Sequence, residues 1–135
     1  MNDQHECIQV HEESHIVYAR QRGRHVADLG GFRGTNLTII ATVISELARN
    51  LVDYANSGGE ICIEMVPGPR PSIVVRSSDS GPGIPDLDRA MTDGYSTGGG
   101  LGLGLPGVRR LMDEFAIQSE PGKGTVITAT LILPR

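Results

Sequence analysis

The stretch TNLTIIATVISELARNLVDYA, at residues 35–55, limits the possible folds of this chain more than any other segment. Its apolar residues recur at alternating spacings of three and four, which places them along one side of an α-helix. They are Leu37, Ile40, Ala41, Ile44, Leu47, Ala48 and Leu51. Most of the stability of such a helix comes from tertiary packing of its apolar face, so the rest of the chain must supply a surface that covers it.

Two predicted β-hairpins can supply that surface. Strand-like segments at 60–66 and 72–79 are joined by the turn PGPRP, and segments at 115–120 and 125–133 are joined by PGKG. Short apolar or alternating runs on either side of a Gly/Pro-rich turn are typical of antiparallel pairs.

The remaining segments complete the order of elements. A short strand, CIQVH, precedes a helix at 12–30 with Ser14 as its N-cap. The apolar side of this helix is expected to carry Ile16, Ala19, Val26 and Leu29. Shorter helices are predicted at 85–91 and from about Pro106 to Glu114. The order β-α-α-β-β-α-α-β-β predicts an α+β fold, a two-layer sandwich with helices on one face of a mostly antiparallel sheet. We expect residues 1–135 to form a single domain.

Composition excludes several classes of partner. With 12 basic and 16 acidic residues the net charge is -4, so the chain has no surplus of cations for nucleic acid. The polar, acidic N-terminus is unlike a signal peptide, and the longest apolar run is far too short to span a membrane. We therefore expect a cytoplasmic protein that binds neither nucleic acid nor a membrane.

Cysteines and histidines give no sign of a metal site in the sequence. Cys7 and Cys62 lie in apolar, strand-like context without CxxC spacing, which favours buried free thiols in a reducing compartment. The histidines form no HExxH motif and no Cys/His cluster, so a metal held by histidine is not expected. They are His5, His11, His15 and His25.

The long helix carries the first candidate site. Glu46, Asn50 and Asp53 have the spacing i, i+4, i+7 and share a face roughly opposite the apolar stripe. Such residues commonly form a solvated helix face. The alternative is a site in which amide and carboxylate oxygens point at a hard cation or a water, since magnesium prefers oxygen ligands.

The second candidate is SSDSGPGIPD at 77–86. Asp79 ends an apolar strand, and Gly81 and Gly83 allow a sharp turn with close approach by a ligand. Asp, Ser, Gly and Pro are all turn formers, so an ordinary surface turn is one interpretation. In the other, Asp79 accepts a hydrogen bond from an exocyclic amine such as that of adenine, in a pocket floored by Ile84.

The third candidate is the glycine run GYSTGGGLGLGLPG at 94–107. GLGLPG formally matches G-x-G-x-x-G, but no strand enters it and no βαβ unit follows, so a dinucleotide fold is rejected. PGKGT is not a P-loop, because Ser or Thr does not follow its lysine directly. Free backbone N–H groups and the N-terminus of the next helix would still attract an anion. No Lys or Arg lies between Arg89 and Arg109, so N–H dipoles and a metal ion would have to meet phosphate charge.

In this order, the helical E-x-x-x-N, the D-x-G-x-G turn, the glycine-rich lid and GKGT resemble the GHKL ATPase superfamily with its Bergerat nucleotide fold. The phrases SELARN, DSGPGIPD and GLGLPGVRRLMDEF are most similar to the RsbT-type switch kinases, relatives of the anti-sigma-factor kinases. The resemblance covers nearly the whole chain.

The resemblance implies a role for each matching residue. Asn50 corresponds to the magnesium-binding asparagine, held with phosphate oxygens and waters, and Glu46 to the general base. Asp79 corresponds to the adenine-binding aspartate, and Thr125 to the threonine at the adenine end. The other implied ATP-binding residues are Asp53, Gly81, Gly83, Ile84, Gly98, Gly99, Gly100, Leu101, Gly102, Leu103 and Gly104. We expect the lid to be unordered without nucleotide.

By resemblance, the function is transfer of the γ-phosphoryl group of ATP, with Mg²⁺, to a Ser or Thr of a STAS-domain antagonist of the RsbS or RsbR type. Release of that antagonist would free the kinase to activate a phosphatase. Some relatives carry a lid arginine where this chain has glycine, which implies slow catalysis or a cation from the substrate. The alternatives are a nucleotide-responsive partner-binding regulator with little turnover and, less favoured, a histidine-kinase catalytic domain.

The first predicted helix offers one further surface. Arg20, Arg22, Arg24 and His25 are basic residues in an otherwise acidic chain. They form either a solvated surface, which is the usual role of such residues, or a docking surface for a partner.

Overall fold

The computed structural model describes residues 4–55, 58–84, 91 and 104–134. Within these residues the chain forms five strands and three helices. The strands are β1 (His5–Val10), β2 (Gly59–Val66), β3 (Ser72–Asp79), β4 (Glu114–Glu120) and β5 (Gly124–Ile132). The helices are α1 (Glu13–Leu29), α2 (Thr35–Tyr54) and α3 (Gly104–Leu111). The short helix predicted at 85–91 lies outside the described residues except for Met91.

The strands form one sheet in the order β1-β2-β3-β5-β4, and every neighbouring pair is antiparallel. Alternate residues of the central strands are buried, including Ile61 and Ile63 on β2 and Val75 on β3. Helices α1 and α2 pack against each other and against β1 and β2, and α2 also contacts β3. The predicted α+β fold, a two-layer sandwich with helices on one face of an antiparallel sheet, is confirmed.

Helix α2 buries the stripe that the sequence predicted. Six of its seven members are buried, whereas Leu37, near the start of the helix, is half-buried. Val43 joins them and widens the buried surface. Together with the inward residues of the sheet and of α1, these side chains form one apolar core.

Helix α1 differs from its prediction at both ends. Ile16, Ala19 and Val26 are buried as expected, but Leu29 is 56% exposed in the last turn of the helix. The N-cap is Glu12 rather than Ser14. The Ser14 hydroxyl donates a hydrogen bond to the Glu12 carboxylate (2.9 Å) from inside the first turn.

Close packing of α1 on α2 depends on Gly23. A Cβ atom at this buried position would overlap Cδ1 of Ile44 and lie 3.3 Å from Cδ1 of Ile63. Replacing Gly23 with alanine should lower the free energy of unfolding by about 1–2 kcal/mol, because overpacking costs about 1–3 kcal/mol and the higher helix propensity of alanine offsets only about 0.5–1 kcal/mol. Urea denaturation measures this. The exposed neighbour Arg24 is the control, and Arg24→Ala should change stability by less than about 0.5 kcal/mol. Equal stability of the two variants would contradict close packing at Gly23.

Helix α3 begins at Gly104 and ends at Leu111, which is earlier at both ends than predicted. Asp113 draws the chain into the sheet at this point. Its N–H donates to the carbonyl of Thr130 (2.9 Å), and its carboxylate accepts from the N–H of Ile132 (2.7 Å). Strand β4 therefore starts at Glu114, the residue at which the sequence predicts the end of the helix.

The prediction of buried free thiols is wrong. Cys7 and Cys62 are direct partners in the β1–β2 ladder and form a disulfide. Cys7 is exposed and Cys62 half-buried, because strand alternation places both on the sheet face away from the helices. The prediction of burial depended on the apolar neighbours of the two cysteines in the sequence, and those neighbours occupy the other face of the sheet.

No helix in the described part of the chain is long and apolar enough to cross a membrane.

Candidate functional site

Helix α2 places Glu46 and Asn50 one turn apart at the core side of the molecule. Glu46 is only 2% exposed, so the interpretation of this surface as a solvated helix face fails for it. Asn50 is half-buried, and its Oδ1 atom is buried and makes no hydrogen bond with the described residues. Asp53, one turn further on, is exposed. The structure thus groups Glu46 with Asn50 and leaves Asp53 at the rim.

Arg49 supplies a positive charge to the same stretch of helix. Its guanidinium pairs with the Glu13 carboxylate of α1 at 2.9 Å. The hydrogen bond to Glu13 raises the pKa of Arg49 despite partial burial, and the charges of Asp53 and Glu46 act in the same direction. Arg49 thereby links the start of α1 to the carboxylate-bearing part of α2.

Asp79 lies at the end of β3, close to the end of α2. Its Oδ1 accepts a hydrogen bond from the N–H of Gly81 (2.8 Å), which closes the turn after the strand. A Cβ atom at Gly81 would lie 3.1 Å from Cα of Ala55, so the turn packs directly on the residue that follows α2. The half-buried Asp79 is therefore held beside the C-terminal end of the helix that carries Asn50.

Strand pairing brings Thr125 to the same place. Thr125 is the β5 partner of Asp79 and is 8% exposed. Its hydroxyl lies 2.7 Å from that of Ser119 on β4, and Ser119 Oγ accepts a hydrogen bond from the N–H of Ile84 (2.7 Å). Ser119 ties Ile84 to the sheet, a role that sequence reasoning missed. A serine in an alternating strand carries no signal that would have revealed it.

Two glycines permit the close approach of the surrounding loops. Gly83 has φ +80°, and a side chain there would strike the carbonyl of Glu120. Gly124 has φ +107°, and a side chain there would strike the carbonyl of Asp79. Other residues rarely adopt these φ values, and the lack of a Cβ keeps the β4–β5 turn against the Asp79 turn.

The glycine run is described only at its end. Most of the lid lies outside the described residues, and so does the prediction about its order. The lid residues concerned are Gly98, Gly99, Gly100, Leu101, Gly102 and Leu103. Gly104 is buried and begins α3, with φ +60°. Helix α3 packs against α2, the helix that carries Glu46 and Asn50.

The basic residues of α1 do not form one unpaired surface. Arg22 donates through Nε to both carboxylate oxygens of Glu6 at 2.9 Å. Arg24 and His25 are exposed, and Arg20 is half-buried. Arg22 is therefore better explained as a link between α1 and β1 than as a docking residue.

Comparisons with known proteins identify the family to which the chain belongs. Residues 35–135 match the family described as histidine kinase-, DNA gyrase B- and HSP90-like ATPase. The chain is 51% identical over 130 residues to the serine/threonine-protein kinase RsbT of Bacillus subtilis, with 96% of each protein covered. It is 33% identical over 97 residues to an anti-sigma F factor of Thermoanaerobacter sp., covering 67% of this chain and 66% of that protein.

Solved structures share the fold. One contains the RsbU and RsbW domains of a Mycobacterium tuberculosis protein, with a TM-score of 0.65 and 20% identity over 96% of this chain and 33% of that one. The mycobacterial sensor histidine kinase MprB gives a TM-score of 0.57 and 17% identity, with 97% and 99% covered. By its family match and its near-full-length likeness to RsbT, the chain belongs to the histidine kinase-, DNA gyrase B- and HSP90-like ATPases, among the RsbT-type serine/threonine kinases.

Proposed function

We propose that this protein transfers the γ-phosphoryl group of ATP to a Ser or Thr of a STAS-domain antagonist of the RsbS or RsbR type, in a partner-switching pathway. The observation that carries the proposal is the burial of Glu46 one helical turn from Asn50. This places a carboxylate that can accept a proton close to an amide oxygen that can hold a cation. The likeness to the RsbT kinase favours this activity over a partner-binding regulator with little turnover.

ATP would lie along α2, with its adenine at the Asp79 turn. Asp79 would accept a hydrogen bond from the exocyclic amine, and the base would be surrounded by Gly81, Gly83, Ile84 and Thr125. The phosphates would extend toward the glycine run and Gly104, where backbone N–H groups and the N-terminus of α3 favour an anion. Asp53, exposed at the rim, would contribute least.

Asn50 fits the magnesium ion that this family of folds implies. Its Oδ1 is a buried oxygen that makes no hydrogen bond with the described residues, and Mg²⁺ prefers oxygen ligands while keeping several waters. Asn50 would hold the ion together with phosphate oxygens. When bound, Mg²⁺ would neutralise charge on the phosphates.

Glu46 would accept the proton of the acceptor hydroxyl. Positioned proton acceptors of this kind typically contribute about 100- to 10,000-fold to a rate. The rest of the chemistry would depend on positioning, because phosphoryl transfer requires little covalent participation by the protein. The glycine run carries no Lys or Arg that could stabilise the charge on the transferred phosphoryl group. We therefore propose that phosphoryl transfer is slow or that the partner supplies a cation.

Partner release would follow from charge. A phosphorylated Ser or Thr adds about −1.5 to −2 charge at pH 7. Placed at an interface with a chain whose net charge is -4, that group would weaken the complex by repulsion. The released kinase would then be available to a second partner, a phosphatase.

Incubation with γ-labelled ATP, Mg²⁺ and a candidate STAS-domain protein tests the proposal. We expect acid-stable label on the partner, absent when its acceptor Ser or Thr is replaced with alanine. Acid-labile label would indicate a histidine kinase instead. A nucleotide-dependent complex without any label would indicate the partner-binding regulator.

A further inference from the structure

The sheet face opposite the helices carries a group of four metal-ligating side chains. Cys7 on β1 and Cys62 on β2 are direct ladder partners. His5 precedes Cys7 by two residues, and Glu60 precedes Cys62 by two. Because side chains two apart on a strand point to the same face, all four lie on this face. None of them belongs to the nucleotide site.

Three of these side chains, those of Cys7, Glu60 and Cys62, bring their ligand atoms close together. His5 Nε2 lies 3.7 Å from Cys7 Sγ, and Glu60 Oε1 lies 3.4 Å from Cys62 Sγ. The ligand atoms of Cys7, Glu60 and Cys62 all lie within 4.8 Å of one another. In tetrahedral zinc sites, with Zn–S near 2.3 Å and Zn–N or Zn–O near 2.0–2.1 Å, a sulfur and a nitrogen or oxygen ligand are about 3.5 Å apart. The distance between Glu60 Oε1 and Cys62 Sγ is close to this value, whereas His5 lies outside the group of three ligands.

A neighbouring residue orients the carboxylate. Gln9 Nε2 donates a hydrogen bond to Glu60 Oε2 at 2.9 Å, while the other oxygen, Oε1, lies near Cys62. Contacts of this kind, made to the ligand rather than to the metal, commonly fix ligand orientation in metal sites. His5 and Cys7 are exposed, so an ion can reach the group from solvent.

We propose that the reduced protein binds one Zn²⁺ through Cys7, Cys62 and Glu60, with a water molecule as the fourth ligand, and that the Cys7–Cys62 disulfide is the metal-free form of the same site. Thiolate ligands select zinc over magnesium. Arg76, the β3 partner of Cys62, lies on the same face, and its positive charge favours the thiolate. Since the metal and the disulfide use the same two sulfur atoms, each form excludes the other.

A small-molecule disulfide such as oxidised glutathione would convert one form into the other. One cysteine thiolate attacks a glutathione sulfur, which forms a mixed disulfide and releases one glutathione thiolate. The second cysteine thiolate attacks the cysteine sulfur of that mixed disulfide and releases the second. The two cysteines lose two electrons, the glutathione disulfide gains them, and Zn²⁺ leaves without a change of charge.

Competition with a chromophoric zinc chelator tests the site in untagged wild-type protein. After reduction and removal of the reductant, we expect one Zn²⁺ per chain, and Co²⁺ in its place should show thiolate-to-metal charge-transfer absorption. Protein first oxidised with oxidised glutathione should bind no zinc at the same concentrations. Equal zinc binding by the two redox forms would overturn the proposal, and this comparison needs no mutant that must fold.

Variants then test the individual ligands. In reduced protein, Cys7→Ser leaves one thiolate and should lower the cobalt charge-transfer absorption by at least about half, and Glu60→Gln should weaken zinc binding by at least about 10-fold. The matched control is Glu64→Gln, on the same strand and face but on the other side of Cys62 and outside the group of three ligands. Retained zinc affinity in Cys7→Ser, or equal losses in Glu60→Gln and Glu64→Gln, would contradict the assignment. Binding of an ATP analogue confirms that each variant is folded.

Discussion

Replacing Glu46 with glutamine should slow phosphoryl transfer to the partner by about 100- to 10,000-fold. Glutamine has nearly the shape of glutamate, so it fits the same buried position at the centre of α2. It cannot accept a proton at neutral pH, and only the transfer step loses its base. ATP binding should stay close to that of the wild type. Single-turnover transfer of label at saturating ATP measures the rate, and calorimetry with a non-hydrolysable analogue measures binding.

Asp53→Asn is the matched control for this variant. Asp53 belongs to the same helix and the same sequence pattern but is exposed, so neutralising it should change the transfer rate by less than about threefold. If Glu46→Gln kept more than about a tenth of the wild-type rate, Glu46 would not be the proton acceptor. If it lost ATP affinity as strongly as rate, Glu46 would act in nucleotide binding instead.

The contrast between Glu46 and Asp53 also shows how far sequence reasoning reaches. Helical spacing correctly placed both residues on α2 and one apolar stripe on its buried side. Spacing within one helix cannot tell how wide a surface other elements will cover. The chain around α2 buries Glu46 as well as the stripe, and this depends on tertiary packing that no local pattern encodes.

Strand register explains the other differences. Two hairpins were readable from turns and alternation, but the sheet order places β5 between β3 and β4, and this pairing sets Thr125 opposite Asp79. The β1–β2 register likewise sets Cys7 opposite Cys62, residues 55 apart in sequence. A shift of one residue would turn each side chain to the other face, so such contacts follow only from the assembled sheet.

The resemblance of DSGPGIPD to nucleotide-binding turns identified this segment as a candidate site, but the distances and contacts of its residues came only from the structure. In the structure the Asp79 carboxylate lies beside the end of α2, and the N–H of Ile84 donates a hydrogen bond to Ser119 Oγ. The hydroxyl pair of Ser119 and Thr125 could not have been predicted, because Ser and Thr also occur commonly on the solvent face of a strand.

Replacing Asp79 with asparagine should weaken ATP binding by about 1.5–3 kcal/mol, or roughly 10- to 150-fold, the usual contribution of a hydrogen bond to a charged group. The asparagine Oδ1 can keep the bond that Asp79 now accepts from the N–H of Gly81. Its NH₂ group would then replace the second carboxylate oxygen and face the adenine amine, so that two donors meet. Calorimetry with ATP against wild-type protein measures the loss.

A change of base separates this effect from damage to the fold. Inosine triphosphate carries a carbonyl where ATP carries its amine, and the asparagine NH₂ can donate to that carbonyl. The ratio of ATP affinity to inosine triphosphate affinity should therefore fall by at least about 10-fold in Asp79→Asn. In the variant the asparagine NH₂ donates to the inosine carbonyl, whereas the Asp79 carboxylate of the wild type has no proton to donate to it. Equal losses for both nucleotides would indicate a disturbed turn at Gly81 instead. Unchanged ATP affinity would show that the adenine binds away from Asp79. The proposed position of the base among Gly83, Ile84 and Thr125 would then be wrong.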